Sequence, residues 1–279
     1  MTLKRGVYFL ANDVILDLAI AFLNSFRTYN PSIPLCLIPF SHDIQQLGTL
    51  ASRYDFSIWG DPAVLRRCDD ISRAFQGSIG GQYRKLAAWE GPYEEFVYID
   101  SDTVVLENID FVFEYLSKFD FVTTHSNDPY IRKWVWKDSI YGSGKLTQEQ
   151  ISFSTNTGFI TSRRGCLTVD GVFDRLPEAV ELAGHMELFC AEQPLLNYLM
   201  VTSGKRYNSL SEIARHTGLL DIPAERWGGE PSLIVRDGRV VWPDVPPTLL
   251  VHWAGEWHQA REEKRPLLHH ELWSFYRYM

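Results

Sequence analysis

Phe96-Val97-Tyr98-Ile99-Asp100-Ser101-Asp102-Thr103-Val104-Val105-Leu106 decides the fold class: four apolar residues, two carboxylates one residue apart, then a second apolar run. Phe96 to Ile99 shows no polar alternation and reads as a strand buried on both faces. In open α/β sheets the ligand crevice lies beyond the carboxyl ends of the strands, which is where Asp100 and Asp102 fall. Side chains at i and i+2 of an extended chain share a face, so both carboxylates are expected to point toward that crevice. Two hard anionic oxygens suit Mg²⁺ or Mn²⁺, which keep open positions for diphosphate oxygens. The bare Asp-x-Asp pattern is equally that of a solvated turn after a strand, so its surroundings must decide.

Working toward the N-terminus, Gln82 to Trp89 reads as a helix, Gly77 to Gly81 as a loop and Pro62 to Phe75 as a further helix. Gly6 to Ala11 is an apolar run of strand length. Ile15, Leu18, Ala19, Phe22, Leu23 and Phe26 then recur at helical spacing, with Asp13 placed as the N-cap. Pro31 and Pro34 end that helix. Leu35 to Phe40 reads as a second strand, Asp43 to Tyr54 as a helix and Phe56 to Trp59 as a third strand. Strands alternating with helices require crossover connections and therefore a parallel sheet covered on both faces.

Toward the C-terminus, Phe119 to Thr124 and Thr157 to Thr161 read as strands, and Ser232 to Trp242 as a hairpin turning at Asp237-Gly238. Helices are predicted over Val169 to Ala183, Leu188 to Val201 and Glu263 to Arg277, with a strand at Leu249 to Trp253. No linker, repeat or low-complexity segment interrupts the pattern, so one continuous domain over residues 1–279 is expected.

The 279 residues carry 27 Lys and Arg against 35 Asp and Glu, a formal net charge of −8, which lacks the positive field that non-specific nucleic-acid binding requires. Cys36, Cys68, Cys166 and Cys190 form no Cys-x-x-Cys pair, as expected of a reducing compartment. Asn12, Asp13 and Asp17 interrupt the apolar N-terminal stretch, which therefore reads as strand and helix rather than as a signal peptide. No run reaches the ~18 apolar residues of a membrane span. A soluble, cytoplasmic protein is the expectation.

The block Tyr83-Arg84-Lys85-Leu86-Ala87-Ala88-Trp89-Glu90 followed by Phe96 to Leu106 resembles the central block of GT-A fold glycosyltransferases, particularly family 8, which includes glycogenins and bacterial galactosyltransferases. In that family a Lys-Leu or Arg-Leu helix precedes an apolar strand that ends in Asp-x-Asp. The resemblance implies a Rossmann-like, mostly parallel α/β sheet flanked by helices. A nucleotide-binding part would occupy about 1–125, and a smaller mixed acceptor-side region about 126–279. It implies that Asp100-Ser101-Asp102 binds the nucleotide-sugar through Mn²⁺ or Mg²⁺ on Asp100 and Asp102, and that Lys85 or Arg84 approaches the diphosphate or donor sugar. Exposed helix cations are the plain alternative for both.

Three further segments match in the family's order. Ser154 to Ile160 resembles the Asn-x-Gly strand, which implies that Asn156 hydrogen-bonds the donor sugar. Glu192-Gln193-Pro194-Leu195-Leu196-Asn197 resembles the Asp-Gln-x-x-x-Asn helix start beside the anomeric carbon, with Glu192 in place of the usual Asp; a helix-start carboxylate is the competing reading. Val251-His252-Trp253-Ala254-Gly255 resembles the His-x-x-Gly segment, which implies that His252 completes the metal site and Gly255 lies against the nucleotide-sugar. The family's Lys-Pro element is displaced, leaving Lys264 as the candidate replacement. By position in the first strand, Ala11 and Asn12 would contact the base, although Asn12 and Asp13 also suit a turn without ligand.

What the resemblance implies is retaining transfer of a sugar from a nucleotide-sugar, with UDP the nucleotide by analogy, to a hydroxyl of a saccharide, lipid or protein. Gln193 would steady charge developing on the sugar. Tyr130 to Lys137, with Tyr141, reads either as an acceptor-binding lid or as a helix with a buried Trp face. Two rivals are weighed: a sugar-nucleotidyltransferase, whose Gly-rich signature near the first strand is missing here, and a non-enzymatic carbohydrate-binding protein on a decayed transferase fold.

Overall fold

The structure is a computed structural model that describes residues 3–219, 221–241 and 246–279. Its first half alternates as the hydrophobic pattern predicts: β1 (Arg5–Ala11), α1 (Leu16–Tyr29), β2 (Leu35–Pro39), α2 (Gln45–Tyr54), β3 (Phe56–Ile58) and α3 (Pro62–Gln76). β4 (Glu95–Asp100), β5 (Thr103–Val105), β6 (Phe121–Thr123), α4 (Pro129–Arg132), α5 (Gln148–Phe153), β7 (Phe159–Arg163), α6 (Val169–Leu182) and α7 (Gln193–Thr202) follow. The chain continues through β8 (Tyr207–Ser209), α8 (Leu210–Thr217), β9 (Ala224–Trp227), the hairpin β10 (Val235–Arg236) and β11 (Arg239–Val240), β12 (Thr248–His252), α9 (Glu256–Glu262) and α10 (His270–Arg277). The expected hairpin thus turns at Asp237-Gly238, and its last residue, Trp242, lies outside the described residues.

Seven strands form the main sheet in the order β3-β2-β1-β4-β7-β6-β8. Only β7 runs against its neighbours. The entry to β7 therefore lands at the carboxyl edge of β4, where the parallel strands deliver their loops. A second sheet, β5-β12-β9, closes over that edge.

The strand residues partition as two-face burial requires. Tyr8, Leu10, Phe96 and Tyr98 pack with α3, α6 and α7, whereas Val7, Phe9, Ala11, Val97 and Ile99 pack with α1 and α2. Asp100 continues the Phe96-Tyr98 face and so faces the 81–90 segment. A third core, with Val104, Val251, Trp253, Leu272 and Tyr276, holds the second sheet against α1 and α10.

Four expectations are corrected. Asp13 does not cap α1: it opens a 3₁₀ turn, and its carboxylate accepts the N–H groups of Gln46 and Leu47 at 2.8 and 2.9 Å, serving α2 instead. The segment predicted as a helix over 82–89 is a run of 3₁₀ turns, Gly81–Glu90, buried almost throughout. The helix expected over 188–201 breaks at Ala191, whose φ is +52°, so that α7 starts afresh at Gln193 with Pro194 in its first turn. The C-terminal helix expected from Glu263 begins only at His270: α9 has already ended at Glu262, and Lys264 and His269 both take positive φ, with Pro266 between them.

Candidate functional site

β4 ends at Asp100, and the chain bends through Ser101 and Asp102 before β5 begins. The two carboxylates therefore converge across a bend rather than along a continuing strand. β5 pairs antiparallel with β12, placing Thr103 opposite His252, and the Trp253 N–H donates to the Asp102 carbonyl at 3.0 Å. That pairing brings His252 Nε2 to 3.2 Å from Asp102 Oδ1 and 3.9 Å from Asp100 Oδ2. One ligand atom from each of Asp100, Asp102 and His252 lies within 4.8 Å of the others. The His252 side chain is 3% exposed and each carboxylate 25%, so the cluster has a buried back and an open front.

This donor set fits a divalent cation. Two carboxylates supply charge, and an imidazole whose far nitrogen is already bonded supplies a directed lone pair. The far nitrogen, Nδ1, lies 2.8 Å from Glu225 Oε1. Tyr98 Oη donates to Asp100 Oδ1 at 2.6 Å, and Thr103 Oγ1 donates to the Asp100 carbonyl at 2.7 Å, fixing that residue in place.

The charges are strongly coupled. Burial opposes charge on His252, but Asp102 and Glu225 outweigh it and hold the imidazole well above its ordinary range. Burial, with Asp102 adding to it, pushes the Asp100 carboxyl up against the pull of Lys85 and His252. The Asp102 carboxyl stands below its ordinary value, because His252 outweighs the same burial.

Lys85 enters from the 81–90 segment beneath the cluster. Its side chain is 3% exposed, and Nζ lies 2.5 Å from Glu192 Oε1 and 3.3 Å from Asp100, with the Thr157 carbonyl at 3.4 Å. Burial opposes this ammonium, and Asp100 and Glu192 more than offset it. Thr157 Oγ1 donates to the same Glu192 oxygen at 3.1 Å. Arg84 faces elsewhere: its guanidinium makes a two-pronged contact with Asp69 at 2.8 and 2.7 Å and donates to the Pro39 carbonyl.

The remaining candidates divide similarly. Asn156 Oδ1 accepts the Gly158 N–H at 2.7 Å, and its amide nitrogen has no partner among the described residues. Gln193 Oε1 faces the Thr157 N–H at 3.4 Å, while Nε2 donates to the Trp134 carbonyl at 3.1 Å. Asn197 clamps Thr155 from both sides, accepting its N–H and donating to its carbonyl. Ser101 Oγ donates to the Leu10 carbonyl at 2.7 Å, a bond that shapes the bend. Asn12 donates to Ser41 at 3.2 Å at the end of β1, whereas Ala11 is fully buried and offers no surface to a base. Gly255 is exposed as the left-handed N-cap of α9, with open space around it. Lys264 lies just past α9 and has no contact with the acidic cluster.

The Trp-rich segment is helical only over Pro129–Arg132, and beyond it the chain divides between core and surface. Trp136 is 1% exposed and belongs to the core, while Trp134 is 39% exposed. Tyr130 lies 6.5 Å from Trp134 and 6.3 Å from Trp227 between ring centroids, and Trp227 is the register partner of His252. An exposed aromatic wall thus runs from Gln193 to the histidine. Sequence reasoning missed Glu225, Trp227, Tyr98 and Thr157 as site residues. Glu225 and Trp227 carry no motif, and only strand pairing reveals them.

No protein-family profile matches the chain, and no curated protein is similar to it in sequence. Solved structures are similar in fold. The galactosyltransferase LgtC, crystallised with donor and acceptor sugar analogues, superposes with a TM-score of 0.59 at 13% identity, over 98% of this chain and 95% of LgtC. The glycosyltransferase GlyE of Streptococcus pneumoniae TIGR4 gives 0.54 at 15% identity, covering all of this chain, which spans 61% of the GlyE chain. The bifunctional glycosyltransferase WbbM gives 0.53 at 13% identity, over 92% of this chain and 46% of that one. The fold is therefore the GT-A fold of these glycosyltransferases, as expected from the sequence. Among the described residues no helix is long and apolar enough to cross a membrane.

Proposed function

We propose that this chain is a glycosyltransferase that moves a sugar from a nucleotide-sugar, a UDP-sugar by the family 8 resemblance, to an acceptor hydroxyl. Asp100, Asp102 and His252 would hold Mn²⁺ or Mg²⁺. The observation that carries this reading is the convergence of that triad, with a buried back and an open front, at the carboxyl edge of a GT-A sheet. When bound, the cation would supply Lewis acidity that stabilises charge on the departing diphosphate.

The chain's own groups divide the remaining work. Lys85 is held by Glu192, Asp100 and Thr157 in one orientation, a fixed positive charge under the open carboxylates. Glu192 is committed to that ion pair, so its role is to aim Lys85. The free amide nitrogen of Asn156 is available to a sugar hydroxyl, and Gln193 stands at the junction between Thr157 and the aromatic wall. Arg84, engaged by Asp69, is assigned to the scaffold. Asn12 remains the candidate for the base; Gly255 is kept only as a close-approach position.

Tyr130, Trp134 and Trp227 suit the flat face of a pyranose, so a saccharide acceptor, or the saccharide portion of a lipid or protein, is favoured. Retention of anomeric configuration rests on the resemblance, and an inverted product by NMR would remove it. The four unpaired cysteines accord with the cytoplasm, and one continuous domain remains our reading. The test is release of UDP from a panel of UDP-hexoses in the presence of Mn²⁺. Turnover abolished by Asp100→Asn supports the proposal; UDP-sugar binding without turnover on any acceptor supports the carbohydrate-binding rival.

A further inference from the structure

We propose that Glu225 is a positioning residue for the cation site: it fixes the His252 ring so that Nε2, and not Nδ1, faces the cation. The inference rests on the cation reading above. In the parallel pairing of β9 with β12, Glu225 stands opposite Leu250, and His252 lies two residues further along on the same face. The Glu225 side chain reaches diagonally to the ring, with Oε1 2.8 Å from Nδ1.

The other end of Glu225 is anchored. Thr124 Oγ1 donates to its second carboxylate oxygen, and the His125 ring nitrogen Nε2 lies 3.0 Å from its carbonyl. Thr124 follows β6 in the main sheet, so Glu225 ties the histidine of the small sheet to the main scaffold. Glu225 is only 8% exposed, and among the described residues no lysine or arginine pairs with it. A buried carboxylate without such a partner is costly, and among the described residues the ion pair it makes is with His252.

The chemistry follows from the tautomer. An imidazole that donates Nδ1–H to a carboxylate presents its Nε2 lone pair outward, and the donated bond strengthens that lone pair as a ligand. Glu225 lies behind the ring, on the side away from Asp100 and Asp102, so it acts through His252 and does not itself reach the cation.

The test measures Mn²⁺ affinity without nucleotide, by electron paramagnetic resonance of the free ion, for the wild type, Glu225→Ala and Glu225→Gln. Circular dichroism and thermal melting check the fold. Removal of such an outer partner typically weakens metal affinity about 10–100-fold, which is the loss expected for Glu225→Ala. Glu225→Gln keeps an acceptor for Nδ1–H and should recover part of that affinity. A folded Glu225→Ala protein that loses less than about fivefold overturns the proposal, since a merely structural role would lower the melting temperature with Mn²⁺ affinity unchanged. If Glu225→Ala does not fold, Glu225→Leu, which fills the space but accepts no hydrogen bond from Nδ1–H, decides: Mn²⁺ affinity equal to wild type overturns the proposal, and a reproducible loss supports it. A wild type that binds no Mn²⁺ would instead fail the cation reading, taking this inference with it.

Discussion

Gly158 lies so close under His252 that a Cβ added to it would overlap Cε1 of the ring and come 3.0 Å from Asp100 Oδ2. The entry to the reversed strand β7 thus lies directly beneath the triad. It has room for the histidine only because position 158 carries no side chain.

Gly158→Ala should therefore damage the site before the fold. Overpacking costs about 1–3 kcal/mol, relieved by moving the ring away from Asp102. Mn²⁺ affinity is expected to fall by about tenfold or more, the scale of a disturbed ligand orientation, while the protein still melts cooperatively. Unchanged Mn²⁺ affinity in titration calorimetry would show that the ring is not held by this contact.

Lys85→Met should be destabilising, because it leaves Glu192 and Asp100 facing each other without their shared cation. Breaking a buried ion pair from one side costs about 3–5 kcal/mol. Lys85→Met with Glu192→Gln should recover part of the loss in urea unfolding. Equal stability of the single and double variants would mean that the two residues are not coupled.

Trp134 and Trp136 should separate cleanly. Trp136→Ala removes a core side chain and should cost about 3–5 kcal/mol, whereas Trp134→Ala should cost about 1 kcal/mol or less. In a transfer assay Trp134→Ala should raise the acceptor KM and leave the donor KM alone. An unchanged acceptor KM would remove the aromatic wall from the acceptor site.

Cation binding should release protons. Without the metal, both ring nitrogens of His252 face carboxylates, at 2.8 and 3.2 Å, and the imidazole is held charged well above its ordinary range. A metal at Nε2 must displace that proton, so apparent Mn²⁺ affinity should rise with pH below the raised pKa, by up to about tenfold per unit. Calorimetry in buffers of different ionisation enthalpy should report about one proton released per ion. Buffer-independent heats would contradict a charged His252.

Much of this was legible in the chain itself. Asp100 and Asp102 were found because a double-faced strand ends in carboxylates, and His252 because its segment falls in the family's order. The helical periodicity from Ile15 to Phe26 placed α1, but a helix read from sequence does not distinguish an α-helix from the packed 3₁₀ run at 81–90. Adjacent in sequence, Arg84 and Lys85 looked equivalent; only the fold turns one toward Asp69 and the other toward Asp100. Glu225 was invisible because its partner comes from a different strand, and no local pattern records that register. Asp13 looked like a cap for the helix that follows it, yet serves the N-terminus of α2, where no local side chain does so.

The most direct test of the central claim is calorimetric titration of UDP into the wild type and Asp102→Ala, with and without Mn²⁺. Mn²⁺ should strengthen UDP binding to the wild type, and this gain should disappear in Asp102→Ala. UDP binding of equal strength in both proteins, indifferent to Mn²⁺, would contradict a nucleotide-sugar site built on Asp100, Asp102 and His252.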